Sequence, residues 1–441
     1  MRERFLFSTL LVAMLGCVPA LPAHAQKDGD AVPAAAEAVR EVLLDQAARA
    51  RADALWGRPF MAPVALHDPV SGRGWRWSGD AGARFEPLRL PEGLPPANTC
   101  IELEGRPTAL MVLPLPEGRD ELAVLAWHEL SHCMQRLFGL PESREGGTAH
   151  LDSEQGRTWL RLELRALRRA VEDDDPDAMR AHLRAALGFR ARREAVFPGA
   201  LAGEAGIERN EGLAEANGHA IAHPGRDAYR GWLLRALESG DNRDSYVRSA
   251  AYLTGPAYGF LLDGLRPDWR RQFPEDGDLA ALAAGAAGLP FPDAAGADVL
   301  AGAYGGDEVA AAERERERVR AAREQALRAR LVDGPTIALP LARPSVSFDP
   351  RNLFPLGADG MVYHPVTLED AWGRLESEAE VLLATDWKTA RIAAEGVEGC
   401  GREWRGQGWR LLLADGWTLR PGDAGHGMVL AEATDADATC R

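Results

Sequence analysis

The stretch Trp127-His128-Glu129-Leu130-Ser131-His132 decides both the fold and the chemistry that we expect of this chain. On an α-helix, His128 and His132 project from one face, one turn apart, so both imidazoles can reach the same metal ion. Glu129 follows the first histidine, and its carboxylate is expected on the same side, where it can take a proton from a water bound to that ion. The pattern therefore predicts a zinc site with a carboxylate base beside it.

The competing interpretation is a helix that carries two incidental surface histidines. The predicted helix begins near Asp120 and ends at Gly139, ahead of Pro141. Apolar residues recur along one of its flanks and indicate that the helix is partly buried: Leu122, Leu125, Leu130, Met134 and Leu137. Because a partly buried helix holds its side chains in fixed directions, this apolar flank favours a metal site over two incidental surface histidines.

The composition narrows the possible partners. The chain has 441 residues, enough for two or three domains with separate cores. Its formal net charge is −15, and its basic residues are interspersed with acidic ones. Nucleic acids and anionic membranes attract clustered Lys and Arg, so neither is expected as a main partner. No segment after the N-terminus is apolar over the length that a transmembrane helix needs, so no membrane span is expected.

Residues 1–25 have the features of a signal peptide. A basic start precedes the apolar stretch Phe5–Val18, and Ala23-His24-Ala25 has the small-x-small pattern of a cleavage site. Attachment of a lipid to Cys17 is the less favoured alternative, because the residues before it fit the lipoprotein consensus poorly. The sequence therefore predicts export, either into the periplasm or out of the cell.

Export to an oxidising compartment favours disulfide bonds. The chain has five cysteines, and cleavage of the signal peptide would leave four of them: Cys100, Cys133, Cys400 and Cys440. A bond between Cys100 and Cys133 would tie a predicted strand to the metal helix, and one between Cys400 and Cys440 would close a loop near the C-terminus. Three pairings are possible from the sequence alone.

Two histidines do not complete a zinc site, and a third protein ligand is expected later in the chain. The segment 133–139 contains no histidine, which excludes the arrangement in which a third histidine follows closely. The alternative is a glutamate from a later helix, and Asn210-Glu211-Gly212-Leu213-Ala214-Glu215 supplies one. With this segment and the His-Glu-x-x-His helix, the chain resembles the gluzincin metallopeptidases, which include the thermolysin-like enzymes and the M1-type aminopeptidases.

The resemblance implies roles for individual residues. Glu211 would be the third zinc ligand, and Glu215, one turn along the same face, would hold a ligand histidine by its free N–H. The segment Ala251–Ala257 resembles a tyrosine segment of the M1-type enzymes, which implies that the Tyr252 hydroxyl stabilises the oxyanion. Gln135, three residues after the second histidine, also occurs in several members of the clan.

The gap between His132 and Glu211 is much longer than in the M1-type enzymes, so other ligands stay open. Glu154 and Glu163 are rival third ligands. Further candidates are three histidines in the helical region, where a histidine is more often a packed or surface residue than a ligand: His150, His219 and His223. Tyr258 and His223 are substitutes for Tyr252 in stabilising the oxyanion.

The residue composition and the spacing of apolar residues change along the chain and predict an α+β fold. Short strands punctuated by Pro and Gly include Cys100–Glu104 and Thr108–Leu113, and the second is expected to offer an exposed edge to an extended peptide. Mainly helical sequence follows, and strand-like sequence rich in Trp and Gly begins after Gly334. The predicted parts are a signal peptide (1–25), the N-terminal helix and strand-rich part of the catalytic domain (26–119), a helical zincin-like catalytic region (120–334) and a small β-rich C-terminal domain (335–441).

The leading hypothesis is an exported Zn²⁺-dependent metallopeptidase that acts on a peptide or protein substrate. One alternative is a zinc hydrolase of another amide or ester, because a zincin site alone does not fix the bond that is cleaved. The other is a secreted, non-catalytic metal-binding or interaction protein with a degenerate site. Glu129 weighs against this last interpretation, since a structural metal site has no need of a carboxylate base. An aminopeptidase is less favoured, because no Gly-x-Met-x-Asn-like segment occurs in the strand region.

Overall fold

The structure is a computed structural model that describes residues 32–91, 94, 97–141, 147–290, 294–348, 352–422 and 427–433. The expected signal peptide and Cys440 lie outside the described residues. The described residues up to Glu315 form one compact unit, and those from Arg316 onward form a second. The predicted α+β class is confirmed, with a sheet and then helices in the first unit and a β-rich second unit.

The first unit begins with two helices and a five-stranded sheet. The strands lie in the order β3-β2-β1-β5-β4, and every neighbouring pair is antiparallel except β1 and β5, which are parallel. The hairpin predicted before the helix that carries His128 and His132 is present as β4 and β5. The strands are β1 Val64–Asp68, β2 Arg73–Trp77, β3 Glu86–Leu88, β4 Thr99–Leu103 and β5 Arg106–Val112.

The expectation that Thr108–Leu113 offers an exposed edge is wrong. This segment forms β5, which pairs with β4 on one side and with β1 on the other, where Val64 lies opposite Ala109. The backbone groups of β5 are therefore used within the sheet. The outer strand on this side of the sheet is β4, which runs antiparallel to β5.

Helices make up the rest of the first unit, and α12 contains the boundary between the two units. Within the described residues, no helix combines the length and the apolar character needed to cross a membrane. The helices are α1 Ala34–Leu44, α2 Gln46–Trp56, α3 Arg119–Leu137, α4 Glu154–Glu172, α5 Pro176–Val196, α6 Ala200–Ile207, α7 Leu213–Ala222, α8 Arg226–Ser239, α9 Ala251–Leu265, α10 Leu279–Ala286, α11 Ala297–Ala301 and α12 Gly306–Leu331.

Helix α3 carries the His-Glu-x-x-His segment, and its sequence explains its limits and its orientation. The acidic side chains of Asp120 and Glu121 in the first turn interact favourably with the positive end of the helix dipole. Gly139, with a φ of 77°, follows the end of the helix. Trp127 and Leu130 are fully buried in the main core of the unit. The helix packs against β5 and α7, so the direction of the histidines is fixed.

A disulfide bond joins Cys100 of β4 to Cys133 of α3, with a Cα–Cα distance of 5.1 Å. This pairing was one of the expected bonds, and it is consistent with an oxidising compartment. The bond ties the outer strand of the sheet to the residue that directly follows His132.

We expect the double variant Cys100→Ala/Cys133→Ala to be less stable than the wild type by about 3 kcal/mol, because the bond closes a loop of 33 residues in the unfolded chain. Urea unfolding would measure the change. Neither cysteine is a metal ligand candidate, so metal content at low denaturant serves as the control. An unchanged free energy of unfolding would contradict this expectation.

Glycines allow α7 and the turn before it to lie close to the neighbouring helices α3 and α9. A Cβ on Gly255 of α9 would lie 2.3 Å from the Cα of Gly212, and a Cβ on Gly218 would lie 2.9 Å from the Val124 carbonyl oxygen of α3. Side chains at Gly212, Gly218 and Gly255 would therefore push these helices apart. Because these three residues have no side chains, α7 packs closely against both α3 and α9.

The second unit contains two sheets. The six-stranded sheet has the order β14-β15-β16-β11-β10-β7, and the seven-stranded sheet has the order β17-β18-β6-β13-β12-β9-β8. Their shared core includes Trp372 and Trp409, which are almost fully buried. The strands are β6 Thr336–Pro340, β7 Ser345–Phe348, β8 Leu353–Pro355, β9 Met361–Tyr363, β10 Val366–Asp370, β11 Gly373–Ser377, β12 Val381–Leu383, β13 Thr389–Ala393, β14 Glu398–Cys400, β15 Glu403–Gly406, β16 Trp409–Leu413, β17 Trp417–Pro421 and β18 Met428–Glu432.

Candidate metal centre

Three side chains come together in the first unit in a group that could hold a metal ion. One ligand atom each from His128, His132 and Glu211 lies within 4.8 Å of the other two. The two Nε2 atoms are 3.1 Å apart, and each is 3.6 Å from Oε2 of Glu211. Among the described residues, no other set of three or more His, Cys, Asp or Glu side chains is arranged in this way.

Glu211 lies on a π-helical turn, Glu208–Gly212, that joins α6 to α7 without a break in helical backbone. Such a turn inserts an extra residue into a helix and is common at functional sites. The turn packs against α9 through Gly212 and Gly255, while α7 packs against α3. The local geometry of three helices therefore brings the carboxylate to the two histidines.

Both histidines are held through the ring nitrogen that faces away from the group. Nδ1 of His128 is 2.7 Å from Oε2 of Glu215, and Nδ1 of His132 is 3.3 Å from Oε1 of Gln135. The Gln135 amide then donates to the backbone carbonyls of Arg209 and Asn210 on the π-helical turn, at 3.1 and 3.0 Å. These contacts leave both Nε2 atoms for a metal, as outer partners of histidine ligands commonly do.

Glu129 is buried next to the group, and within the described part of the chain its Oε2 atom has no hydrogen-bond partner. Burial raises the pKa of Glu129 above its usual value, although His128 and His132 act in the opposite direction. An unsatisfied buried carboxylate oxygen lowers stability. Its position therefore suits a group that receives a proton more than one that supports the fold.

Tyr252 on α9 contacts two members of the group, Glu211 and His128. Its hydroxyl donates a hydrogen bond of 2.5 Å to Oε2 of Glu211, and its ring stacks on His128 with a centroid distance of 5.8 Å. Burial and the charge of Glu211 raise the pKa of Tyr252 far above its usual value. The hydroxyl therefore stays protonated at neutral pH and can donate a hydrogen bond.

The histidines and carboxylates at the group shift one another's pKa values. Burial alone would raise the pKa of Glu211, but hydrogen bonds with His128 and His132 hold it well below its usual range. Burial alone would lower the pKa of His128, but Glu211 and Glu215 raise it well above its usual value. The carboxylates thus create a place that favours positive charge, and a metal cation would take the place of the proton there.

The rival ligand Glu163 is engaged elsewhere in a buried ionic network. Its carboxylate accepts hydrogen bonds from Arg190 at 3.2 Å, from Arg193 at 2.7 Å and from the Tyr258 hydroxyl at 2.7 Å. All four side chains are fully buried. Neither Glu163 as a ligand nor Tyr258 as a substitute for Tyr252 is therefore part of the metal group.

The same network holds the glutamates that precede Glu211 in the sequence. Arg190 donates two hydrogen bonds of 2.8 Å to Glu208, and Arg193 donates to Glu204, which also bonds Nε2 of His150 at 2.7 Å. His150 is thus excluded from the metal group. Glu154 begins α4 and is also not a member of it.

His219 and His223 lie beside the group rather than in it. Nε2 of His219 is 3.2 Å from Oε1 of Glu215, and its Nδ1 is 3.1 Å from Nε2 of His223. The sequence indicated packed or surface residues at these positions, but not the contact between His219 and Glu215. Only the i, i+4 spacing of Glu215 and His219 could have pointed to that link.

Comparison with known proteins finds no family model, no curated protein and no solved structure that matches this chain. The functional argument therefore depends on the geometry and chemistry of the group itself.

Proposed function

We propose that this chain is an exported zinc-dependent metallopeptidase of gluzincin type, in which Glu129 acts as the base. The observation that supports this most directly is the group of His128, His132 and Glu211 with the buried carboxylate of Glu129 beside it, whose Oε2 atom has no hydrogen-bond partner among the described residues. A purely structural metal site would gain nothing from that carboxylate.

The donor set suits zinc. Two imidazole nitrogens and one carboxylate oxygen are the ligands of many catalytic zinc sites, which keep a further position open for water or substrate. Sites for Mg²⁺ and Ca²⁺ are built mainly from oxygen atoms, so two imidazoles argue against these ions. His128, His132 and Glu211 would hold the ion, with Glu215 and Gln135 fixing the two rings.

The roles of the remaining residues follow from their positions. A zinc ion bound at these ligands would lower the pKa of a water molecule to about 7 and polarise the substrate carbonyl. Glu129 would take a proton from the attacking water on its free Oε2 atom and pass it to the leaving amine. The Tyr252 hydroxyl would turn from Glu211 and donate to the carbonyl oxygen as negative charge develops there.

Strand β4 suits a peptide substrate. It is the outer strand of the sheet, and the bond between Cys100 and Cys133 ties it next to the histidine helix. An extended peptide could pair with the edge of β4 that has no strand partner among the described residues and so present successive carbonyls in a fixed direction. This support favours an amide in a chain over a small ester.

Metal analysis of the purified mature chain, combined with a library of quenched fluorescent peptides, tests the proposal. We expect one zinc ion per chain and hydrolysis that is lost with 1,10-phenanthroline and restored by Zn²⁺. Hydrolysis of small esters but not of peptides would favour the other hydrolase. A chain that binds zinc and cleaves nothing would favour a non-catalytic protein.

The variant Tyr252→Phe is expected to lower kcat by about 10²-fold, the usual effect of removing one oxyanion donor. Zinc content should stay unchanged, because Tyr252 contacts Glu211 but is not itself a ligand candidate. Tyr258→Phe is the matched control: it removes a hydroxyl from Glu163, so it should lower stability by about 1–2 kcal/mol and leave kcat unchanged. Equal kcat values for Tyr252→Phe and the wild type would remove Tyr252 from the mechanism.

A further inference from the structure

A line of hydrogen bonds leads from the metal group along one face of α7 to His223, directly after the end of this helix. Oε2 of Glu215 is 2.7 Å from Nδ1 of His128, and its other oxygen, Oε1, is 3.2 Å from Nε2 of His219. Nδ1 of His219 is in turn 3.1 Å from Nε2 of His223. Both oxygens of Glu215 are therefore used, one toward the metal group and one toward His219.

The tautomers along this line are fixed by the metal end. If Nε2 of His128 binds a metal, its proton must lie on Nδ1 and be donated to Glu215. A carboxylate can only accept, so His219 donates its Nε2–H to Glu215. Nδ1 of His219 then has no proton and accepts from Nε2–H of His223. One arrangement of protons satisfies all three contacts.

The surroundings support neutral rings in fixed positions. Burial lowers the pKa of His219, and burial and His219 together lower the pKa of His223 to about 4, so both are neutral at neutral pH. The His219 ring is almost fully buried and stacks on Trp232 with a centroid distance of 3.3 Å. Tyr229 stacks on the same ring, and its hydroxyl is bonded to the Pro256 carbonyl of α9.

We propose that His219 is a positioning residue of the metal centre: its Nε2–H holds the carboxylate of Glu215 so that this carboxylate orients His128 for the metal. This inference rests on the proposed function only in that the group binds zinc. His223 takes part by donating to Nδ1 of His219, which leaves the proton of His219 on the nitrogen that faces Glu215. The effect is expected on the affinity for the metal, because His219 reaches the group through Glu215 and the ligand candidate His128.

The zinc dissociation constant, measured by competition with a chromophoric chelator, tests this role without any measure of activity. His219→Phe keeps a flat ring against Trp232 but has no N–H, and we expect it to bind zinc about 10-fold more weakly than the wild type. His219→Gln places an amide N–H near the same point and should recover the affinity to within about 3-fold. The matched control is His150→Phe, which removes an imidazole–glutamate contact whose two members lie outside the group and should leave the zinc affinity unchanged.

A second measurement uses the wild-type chain, in case His219→Phe does not fold. In zinc-loaded protein labelled with ¹⁵N-histidine, long-range ¹H–¹⁵N spectra should show His219 as the Nε2–H tautomer. A proton on Nδ1 of His219 would overturn the inference, as would equal zinc affinities for His219→Phe and the wild type. Failure of the wild type to bind zinc would instead overturn the proposed function on which the inference rests.

Discussion

The variant Glu129→Gln is expected to hydrolyse peptides at least about 10³-fold more slowly than the wild type while it binds the same amount of zinc. Glutamine has nearly the same shape as glutamate but cannot accept the proton of the attacking water, and a positioned general base commonly contributes 10²- to 10⁴-fold. Glu129 is buried, and its Oε2 atom has no hydrogen-bond partner among the described residues, so this oxygen is available to accept that proton. Steady-state kinetics together with metal analysis would measure both quantities.

Glu121→Gln is the matched control for this variant, because Glu121 lies on the same helix but is exposed in its first turn. It should leave both kcat and zinc content unchanged. Unchanged hydrolysis in Glu129→Gln would remove this residue from the mechanism. Loss of zinc together with activity would assign it to metal binding instead.

The variant Glu211→Ala is expected to bind zinc on the order of 10³-fold more weakly, which corresponds to about 4 kcal/mol. It removes one of three protein ligands and leaves two histidines, a set that rarely holds zinc tightly. Equilibrium competition with a chelator would give the dissociation constant. Hydrolysis at limiting zinc should fall in parallel.

Glu154→Ala is the control here, because Glu154 is the carboxylate that its sequence position made a rival ligand. It lies outside the metal group and should bind zinc as the wild type does. The reverse result, with zinc lost in Glu154→Ala and kept in Glu211→Ala, would show that the ligand assignment is wrong.

What could be predicted from the sequence depends on how local the interaction is. The pair His128 and His132 follows from helical periodicity alone, and the structure brings their Nε2 atoms to 3.1 Å. The hairpin of β4 and β5 is also local, since a short turn connects its strands. In both cases the residues that meet are close in the sequence.

Non-local contacts could not be predicted in this way. The parallel pairing of β1 with β5 removes the predicted edge, and no local pattern indicates which distant strand will lie alongside. Glu211 could be suggested only from a resemblance, because α4 and α5 separate it from the histidines. Glu163 is a rival ligand from the sequence alone, and its buried contacts with Arg190 and Arg193 exclude it from the group.

The π-helical turn has a consequence for insertions and deletions. Glu204, Glu208, Glu211 and Glu215 have a spacing that would align all four along one stripe of a regular α-helix. In this protein the first two meet Arg193 and Arg190, and the last two meet the histidines of α3. The extra residue turns the helix by about 100° between the pairs, so one helix serves two unlike neighbours. Because this turn absorbs one residue more than a regular α-helix would, deleting a single residue from it would leave each pair facing its own neighbour. Deleting one residue between Glu211 and Glu215, where the helix is regular, would instead turn Glu215 away from His128.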